Sequence, residues 1–336
     1  MKDVSIIIVN YNQTQFLRSL ISYLLDYVYE CEIEIILVDS NSNDQIILLD
    51  LVKDLQSKTK IEISLLELNE NKGPSFARNQ GVKKATGKYL QFIDADDWIN
   101  KHKIDLQYSF ASKNDWPTFI ASEWARVHHE SSIYNPRILS IHTPNFNHPT
   151  LIQLIKSNGF VHLASGLIKK EDFLSINGFD EDKWLIEDVH LQIRLFIHNQ
   201  SFLFCKTSFP IFFYRQTPNS LSKRNPQEFY SSVLDNAFLV SKIYSNNHVL
   251  NEVDTDEVIA VIYDICKNTF KVGTLEGNKT LTFRSLDLIN EVTNLYIFGF
   301  TNISKKLYYY WTYRIRFIIL MIIIILKKQI KALYNS

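Results

Sequence analysis

Cysteine is scarce in this chain, and the three present, Cys31, Cys205 and Cys266, lie far apart and form no CxxC pair. That spacing argues against a disulfide framework or a zinc site and fits a reducing cytosol. An excess of charge of one sign is also missing. The 36 basic residues balance 36 acidic ones, where a general nucleic-acid binder carries a basic surplus. No glycine follows the first apolar run, where Asn10-Tyr11-Asn12-Gln13 stands instead. This argues against the GxGxxG loop of a dinucleotide oxidoreductase and the glycine-rich phosphate loop with which sugar nucleotidyltransferases open. Met1-Lys2-Asp3 leads straight into Val4-Ser5-Ile6-Ile7-Ile8-Val9, a run too short for a signal-peptide core and without a small-residue cleavage pattern. The apolar stretch Phe317–Leu326 has ten residues, about half of the ~20 that a membrane-spanning helix needs. Internal repeats and low-complexity linkers are absent.

What is there reads as a folded globular protein, 46% hydrophobic and 21% charged, long enough for one large α/β domain and an appendage. Strands are predicted over Val4–Asn10, Glu34–Asp39, Ile63–Leu68 and Tyr89–Asp94. Helices over Gln15–Tyr27, Asp44–Leu55 and Pro74–Thr86 fall between them, and Gly87 punctuates. This alternation suits a mostly parallel sheet with crossover helices on both faces. Between 115 and 160, Pro117, Pro136, Pro144 and Pro149 interrupt any period, and irregular segments of this kind carry substrate loops. Order returns with Leu163–Ile168, a helix near Lys170–Ile176, the turn Asn177-Gly178 and a helix over Glu187–His198. From Gln227 onward the pattern is helical, over Phe229–Tyr244, Asp256–Phe270 and Arg284–Ile297. The predicted division is an α/β domain over 1–225 and a helical C-terminal region over 226–336.

Ligands of open parallel sheets bind beyond the carboxyl ends of the strands. Three predicted strands end in polar or acidic groups there: Asn10-Tyr11-Asn12, Asp39, and Asp94-Ala95-Asp96-Asp97. Those blocks, with Asn-Lys-Gly-Pro-Ser-Phe-Ala-Arg-Asn-Gln-Gly (71–81), Asn-Gly-Phe-Asp-Glu (177–181) and Glu-Asp-Val-His-Leu (187–191), resemble family 2 glycosyltransferases in identity and in order, across roughly residues 4 to 215. The resemblance implies a Rossmann-like GT-A fold, an inverting reaction and a nucleotide-sugar donor. One departure is local. Where the family more often writes Asp-Asp-Gly-Ser-Thr-Asp, this chain keeps Asp39 and continues with Ser40, Asn41 and Ser42.

On that resemblance Asp94-Ala95-Asp96 is a DxD motif, with Asp96 on a divalent metal, Asp94 on the metal or the ribose, and Asp97 as a second ligand. Carboxylates approach a sugar diphosphate through a hard cation with oxygen ligands, Mn²⁺ or Mg²⁺; the other reading of the same acids is a strand-end turn with capping aspartates. Asp39 accepts from the nucleobase and Tyr11 flanks it, unless Asp39 merely caps its own turn. Arg78 meets a phosphate or holds the metal-site acids by charge-assisted hydrogen bonds. In the Glu187-Asp188 pair, Asp188 takes the role of general base and Glu187 orients the acceptor or the helix start. Trp184 offers a flat face to an acceptor sugar, or belongs to the core. His190 and His198 read as packed or solvated helix residues. The basic segment Tyr214–Arg224, with Arg215, resembles the stretch that closes over the donor phosphates.

The tail differs in character from the rest. After Glu291 there is no acid, while Lys305, Lys306, Arg314, Arg316, Lys327, Lys328 and Lys331 surround Phe317–Leu326, with Tyr308, Tyr309, Tyr310, Trp311 and Tyr313 upstream. Aromatics, an apolar stretch and bases together suit docking on an anionic membrane surface; a buried C-terminal helix is the alternative. The expected partners are thus a nucleotide-sugar donor, a glycan or lipid-linked glycan acceptor and the inner face of the cell membrane. The expected role is extension of a bacterial surface glycan. A non-catalytic scaffold on a degenerate transferase fold is the rival.

Overall fold

The computed structural model describes residues 2–43, 45–144, 151–155, 161–217, 225–246 and 252–299. The chain divides into two compact units, Met1–Ser220 and Leu221–Ser336.

The first unit is built on strands β1 (Val4–Asn10), β2 (Ile33–Asp39), β3 (Glu62–Glu67) and β4 (Tyr89–Asp94), which pair in parallel in the order β4-β1-β2-β3. Val4, Ile6, Ile7, Ile8, Ile35, Leu37 and Val38 are fully buried. Such near-continuous apolar strands are what a parallel sheet covered on both faces requires. Helices α1 (Thr14–Leu25), α2 (Gln45–Gln56) and α3 (Pro74–Lys84) are the crossovers, and their ends fall within two residues of those predicted, the ordinary fraying of helix boundaries. Register sets the chemistry: Asn10 pairs with Asp39 and Val9 with Asp94, so three strand ends come out at one edge.

The second half of this unit departs from the prediction. Residues 115–160 are not merely irregular: they contain β6 (Phe119–Ala121), β7 (Trp124–His128), β8 (Ile138–His142) and the short helix α5 (Leu151–Ile155), after β5 (Trp98–Ile99) and α4 (Lys103–Ser112). The expected run Leu163–Ile168 is a 3₁₀ turn, Leu163–Ser165, followed by β9 (Leu167–Lys169). After α6 (Lys170–Ser175) and α7 (Glu187–His198) come β10 (Phe202–Phe204) and β11 (Phe212–Gln216). Strand β9 enters the main sheet antiparallel between β4 and β6, giving seven strands in the order β10-β6-β9-β4-β1-β2-β3. A second sheet, β5-β11-β7-β8, was not predicted. Its β11 takes up the start of the segment expected to be a loop, and residues 218–224 of that segment lie outside the described residues.

A polar hub lies under the junction of these parts. Lys103 Nζ is wholly buried and donates to Gln107 Oε1 at 2.5 Å, to the Gly166 carbonyl at 3.1 Å and to Gln91 Oε1. Gln107 Nε2 in turn donates to the carbonyls of Ile120 and Ser165, at 3.1 and 2.9 Å. Burial holds the ammonium well below the usual lysine range, but all three of its hydrogens find an oxygen, the condition on which a buried polar group is tolerated.

Among the described residues the second unit has three helices, α8 (Pro226–Asn246), α9 (Glu252–Glu276) and α10 (Lys279–Gly299). They bury Leu234, Ala237, Val240, Ile262, Cys266, Phe270 and Leu288. Gly277, at φ +74°, makes the left-handed turn between α9 and α10 that a side chain would strain. No helix among the described residues is long and apolar enough to cross a membrane, and the basic tail from Lys305 lies outside those residues.

Candidate active site

The acidic strand end is a tight turn. The Asp97 N–H donates to the Asp94 carbonyl at 3.0 Å and the Ala95 N–H to the Val9 carbonyl at 3.0 Å. This folds Asp94, Asp96 and Asp97 apart into different surroundings. Asp94 stays partly open, its side chain 42% exposed. Asp96 is partly buried, and burial, then the neighbouring Asp94, pushes its carboxyl up to about 6. Asp97 is buried, and its Oδ1 accepts the Arg215 N–H at 2.7 Å. Through that bond the Asp97 carboxylate, expected as a second metal ligand, ties the turn to β11.

Arg78 does the joining. It rises from α3, whose first turn is set by Gly73 at φ +92° and Pro74. Its side chain is only 6% exposed. From there Nη2 reaches Asp94 Oδ1 at 2.8 Å and Nη1 reaches Glu187 Oε1 at 2.7 Å. Burial works against the guanidinium charge, and the two carboxylates more than restore it. Of the two roles read for Arg78, the structure has it gripping the acids.

The Glu187-Asp188 pair opens α7, and the residue before it, Ile186, sits at φ +59°, a left-handed conformation that a β-branched side chain rarely adopts. Strain of that kind persists where the surroundings over-determine it and gathers at functional sites. Glu187 is held by Arg78, while Asp188 Oδ1 accepts the Val189 N–H at 2.8 Å. Burial first, then the adjacent Glu187, pushes the Asp188 carboxyl up to about 7. Arg78 thus ties the acidic end of β4 to the acidic start of α7, and the Asp94 charge is felt at both Asp96 and Asp188. Trp184 stands at the rim, 42% exposed. Its indole packs on Gly73 so closely that a Cβ there would lie 2.9 Å from Trp184 Cε2.

Two further expectations are revised. Asp39 is fully buried, and both of its oxygens are engaged in its own turn, from Ser42 Oγ at 2.6 Å, the Ser42 N–H at 2.9 Å and Asn10 Nδ2 at 2.8 Å. It is the capping acid of the alternative reading, knitting the ends of β1 and β2, while Tyr11 beside it is half exposed. Arg215 is buried too. Its Nε donates to the Asp96 carbonyl at 2.7 Å and its Nη1 to the carbonyls of His129 and Ser131 at 2.7 and 2.6 Å, over the rings of Phe16 and Trp98. It braces the acidic turn through the Asp96 carbonyl. His190 lies partly buried on α7, and His198 Nε2 meets Ser175 Oγ at 2.8 Å.

Reading by sequence missed one wall. On the second sheet Tyr214, Arg126, Trp124 and His142 share a face, and the partly buried His162 packs on the Phe212, Tyr214 and Trp124 rings. Burial drives the His162 imidazole down to about 3, leaving it neutral. The signal was the apolar–polar alternation of Ala125–His128, overshadowed by the nearby prolines, whereas Phe-Phe-Tyr-Arg-Gln (212–216) carries no such period. At the end of β7, His128, His129 and Glu130 bring ligand atoms within 4.8 Å of one another, but Arg137 Nη1 already pairs with Glu130 at 3.2 Å.

Comparison with known proteins fits this geometry. Residues 5–166 match the profile of glycosyl transferase family 2. Poly(ribitol-phosphate) beta-N-acetylglucosaminyltransferase TarS of Staphylococcus aureus is 33% identical over 115 residues, 34% of this chain and 20% of that protein. The amylovoran biosynthesis glycosyltransferase AmsB of Erwinia amylovora is 29% identical over 201 residues, 58% of this chain and 64% of its own. An uncharacterized glycosyltransferase of Haemophilus influenzae is 36% identical over 114 residues, 34% of this chain and 44% of its own length. The chain therefore spans less than two thirds of each of these relatives. Among solved structures, S. aureus TarS 1–349 in complex with UDP-GlcNAc superposes with a TM-score of 0.56 at 15% identity, covering 88% of this chain and 92% of that one; at that identity the likeness is one of fold. A central, largely parallel sheet with an acidic strand end and a second acidic pair across the cleft is the GT-A arrangement. Residues 5–166 thus form a domain of the glycosyl transferase family 2 type.

Proposed function

We propose that this chain is an inverting glycosyltransferase that moves a sugar, by default a hexose from its UDP derivative, onto a growing bacterial surface glycan such as a capsule, exopolysaccharide, lipopolysaccharide or wall polymer. The observation that carries the reading is the double ion pair of Arg78, because it draws the acidic end of β4 and the acidic start of α7 together. The names of TarS and AmsB, and the UDP-GlcNAc in the TarS complex, support the donor class and the surface-glycan setting.

Asp96 and Asp94 would hold Mn²⁺ or Mg²⁺. They offer carboxylate oxygens two residues apart, and the upward push on Asp96, from burial and then from the Asp94 charge, is one that a hard cation relieves. When bound, such a cation supplies charge stabilisation of the departing nucleoside diphosphate. The chain's own groups do the rest. Asp188 takes the proton from the acceptor hydroxyl as its oxygen bonds to the anomeric carbon, and the bond from that carbon to the diphosphate oxygen breaks on the opposite face, which inverts the centre. A carboxyl raised to about 7 is a stronger base than an ordinary aspartate once ionised. Glu187, fixed by Arg78, keeps the start of α7 against the cleft. Trp184 gives an acceptor sugar an apolar face, and Tyr11 flanks the nucleobase. The basic, aromatic tail docks the enzyme on the cytoplasmic membrane surface, where lipid-linked acceptors lie.

The test is a panel of nucleotide sugars with Mn²⁺, read by thermal shift and by nucleotide release. One or more donors stabilising the protein and releasing nucleotide is the expected result. No stabilisation and no release with any donor would leave the scaffold reading in its place.

A further inference from the structure

We propose that Arg126 is the centre of an anion-binding acceptor subsite, so that the glycan this protein extends carries a phosphodiester or a uronate carboxylate close to the hydroxyl being glycosylated. This rests on the transferase reading above and adds the chemistry of the acceptor.

The argument begins with strand register. Tyr214 of β11 pairs with Arg126 of β7, and Arg126 with Ser140 of β8. Cross-strand partners share a face, so the three side chains form one row, each step about 5 Å. The row begins at the cleft: the Tyr214 phenol is pushed up to about 12 by burial and then by Asp97, Asp96 and Asp94, with Arg126 pulling it back. Tyr214 directly precedes Arg215, whose N–H donates to Asp97 Oδ1, so β11 is the strand tied to the acidic turn and Arg126, on β7, lies one strand further along the sheet.

Among the described residues, Arg126 has no ion-pair partner, and its Nε is buried without a hydrogen-bond partner. The rings beside it carry no negative charge. Its guanidinium lies 5.6 Å from the buried Trp124 ring. His142, stacked flat on that ring at 4.0 Å, is lowered by burial and then by Arg126 itself. His162 is neutral. Ser140 Oγ lies 2.8 Å from His142 Nε2 and adds a hydroxyl to the row. By contrast Arg78, Arg194 and Arg215, which are also drawn in from solvent, each meet carboxylates or carbonyls. A partly buried cation without a counter-charge is costly for a fold to keep, and the guanidinium fork is shaped to take two oxygens of a phosphate or carboxylate at once. Tyr214 and Ser140 on either side can donate hydroxyl hydrogens to the same group.

The probes are glycerol 3-phosphate, methyl glucuronide and neutral glycerol, titrated calorimetrically into the whole protein with saturating UDP and Mn²⁺, so that the donor site is filled. The expected result is that one or both anions bind while glycerol does not. Arg126→Gln should weaken that binding at least tenfold, Arg126→Lys should weaken it less, and UDP affinity should stay unchanged. Binding of the phosphate alone identifies a phosphodiester acceptor, and binding of the glucuronide alone a uronate; either supports the subsite. Neither anion binding, or equal binding to the wild type and to a folded Arg126→Gln variant, overturns it. If UDP itself fails to bind the wild type, the transferase reading falls, but the same titration without UDP still reports on Arg126.

Discussion

Replacing Arg78 by methionine keeps the length and apolar stem of the side chain and removes only the charge that joins Asp94 to Glu187. Breaking a buried ion pair by removing one partner costs about 3–5 kcal/mol. Here Glu187 is 13% exposed but Asp94 is 42% exposed, so solvent screens half of the bridge and the low end, about 3 kcal/mol, applies. For a unit of this size that is a fall of about 6–12 °C in Tm. The pH dependence has a definite sign. Without Arg78, the Asp188 carboxyl, already raised by burial and Glu187, loses the cation that pulls it back down. Raised carboxylates destabilise at high pH, and the penalty fades as they take up protons. The deficit of Arg78→Met should therefore be largest near pH 8 and clearly smaller near pH 5, with Arg78→Lys between wild type and Met at both. Urea denaturation followed by circular dichroism at the two pH values measures it. A deficit under about 1 kcal/mol, or one that does not change with pH, would refute the idea that Arg78 serves as counter-charge to the acids.

Transfer should rise with pH through an apparent pKa near 7, the value to which burial and Glu187 push Asp188, because the base acts only when ionised. Asp188→Asn should lower kcat by about 10²–10⁴ and abolish that limb; a pH–rate profile measures both, and an unchanged limb in the variant would assign it elsewhere. Asp96→Asn should lose most Mn²⁺-dependent transfer, whereas Asp97→Asn, whose amide oxygen can still accept from Arg215, should cost far less. Comparing the two by Mn²⁺ titration of activity separates the Asp96 carboxylate from the one tied to β11, and equal losses would place Asp97 in the metal site. Gly73→Ala places a methyl 2.9 Å from the Trp184 ring at a φ of +92°, so about 1–3 kcal/mol of stability should go and the acceptor KM should rise more than the donor KM; steady-state kinetics with each substrate varied tests the split.

The first half of this fold could be read from residues because its physics is local and repetitive. Runs such as Ser5–Val9 and Ile35–Val38 have one plausible use, and each acid at a strand end inherits its place from the register. The same reasoning failed at 115–142 and 212–216. There the strands are short, they pair with segments nearly ninety residues away in sequence, as Tyr214 does with Arg126, and prolines mask the alternation. Side-chain roles were harder still. Asp39, Asp97 and Arg215 sit where the motif puts them, yet hydrogen bonds to Ser42, to the Arg215 backbone and to the 129–131 turn decide that they brace the site. None of those contacts is visible in a one-dimensional pattern. Arg126 attracted no attention, because a cation gains meaning only from the absence of a partner in three dimensions.

The Lys103 hub has a consequence for how this family can vary. An ammonium with three hydrogens and three fixed oxygens works as a keyed joint: slide β4 by one residue and Gln91 leaves its slot, stranding a charge in the interior. Asp94 lies three residues along the same strand, so the key that locks Gln91 also locks the acids. Connections beyond that joint can lengthen, shorten or change their sugar-facing residues from one relative to the next, while the carboxylates keep their station.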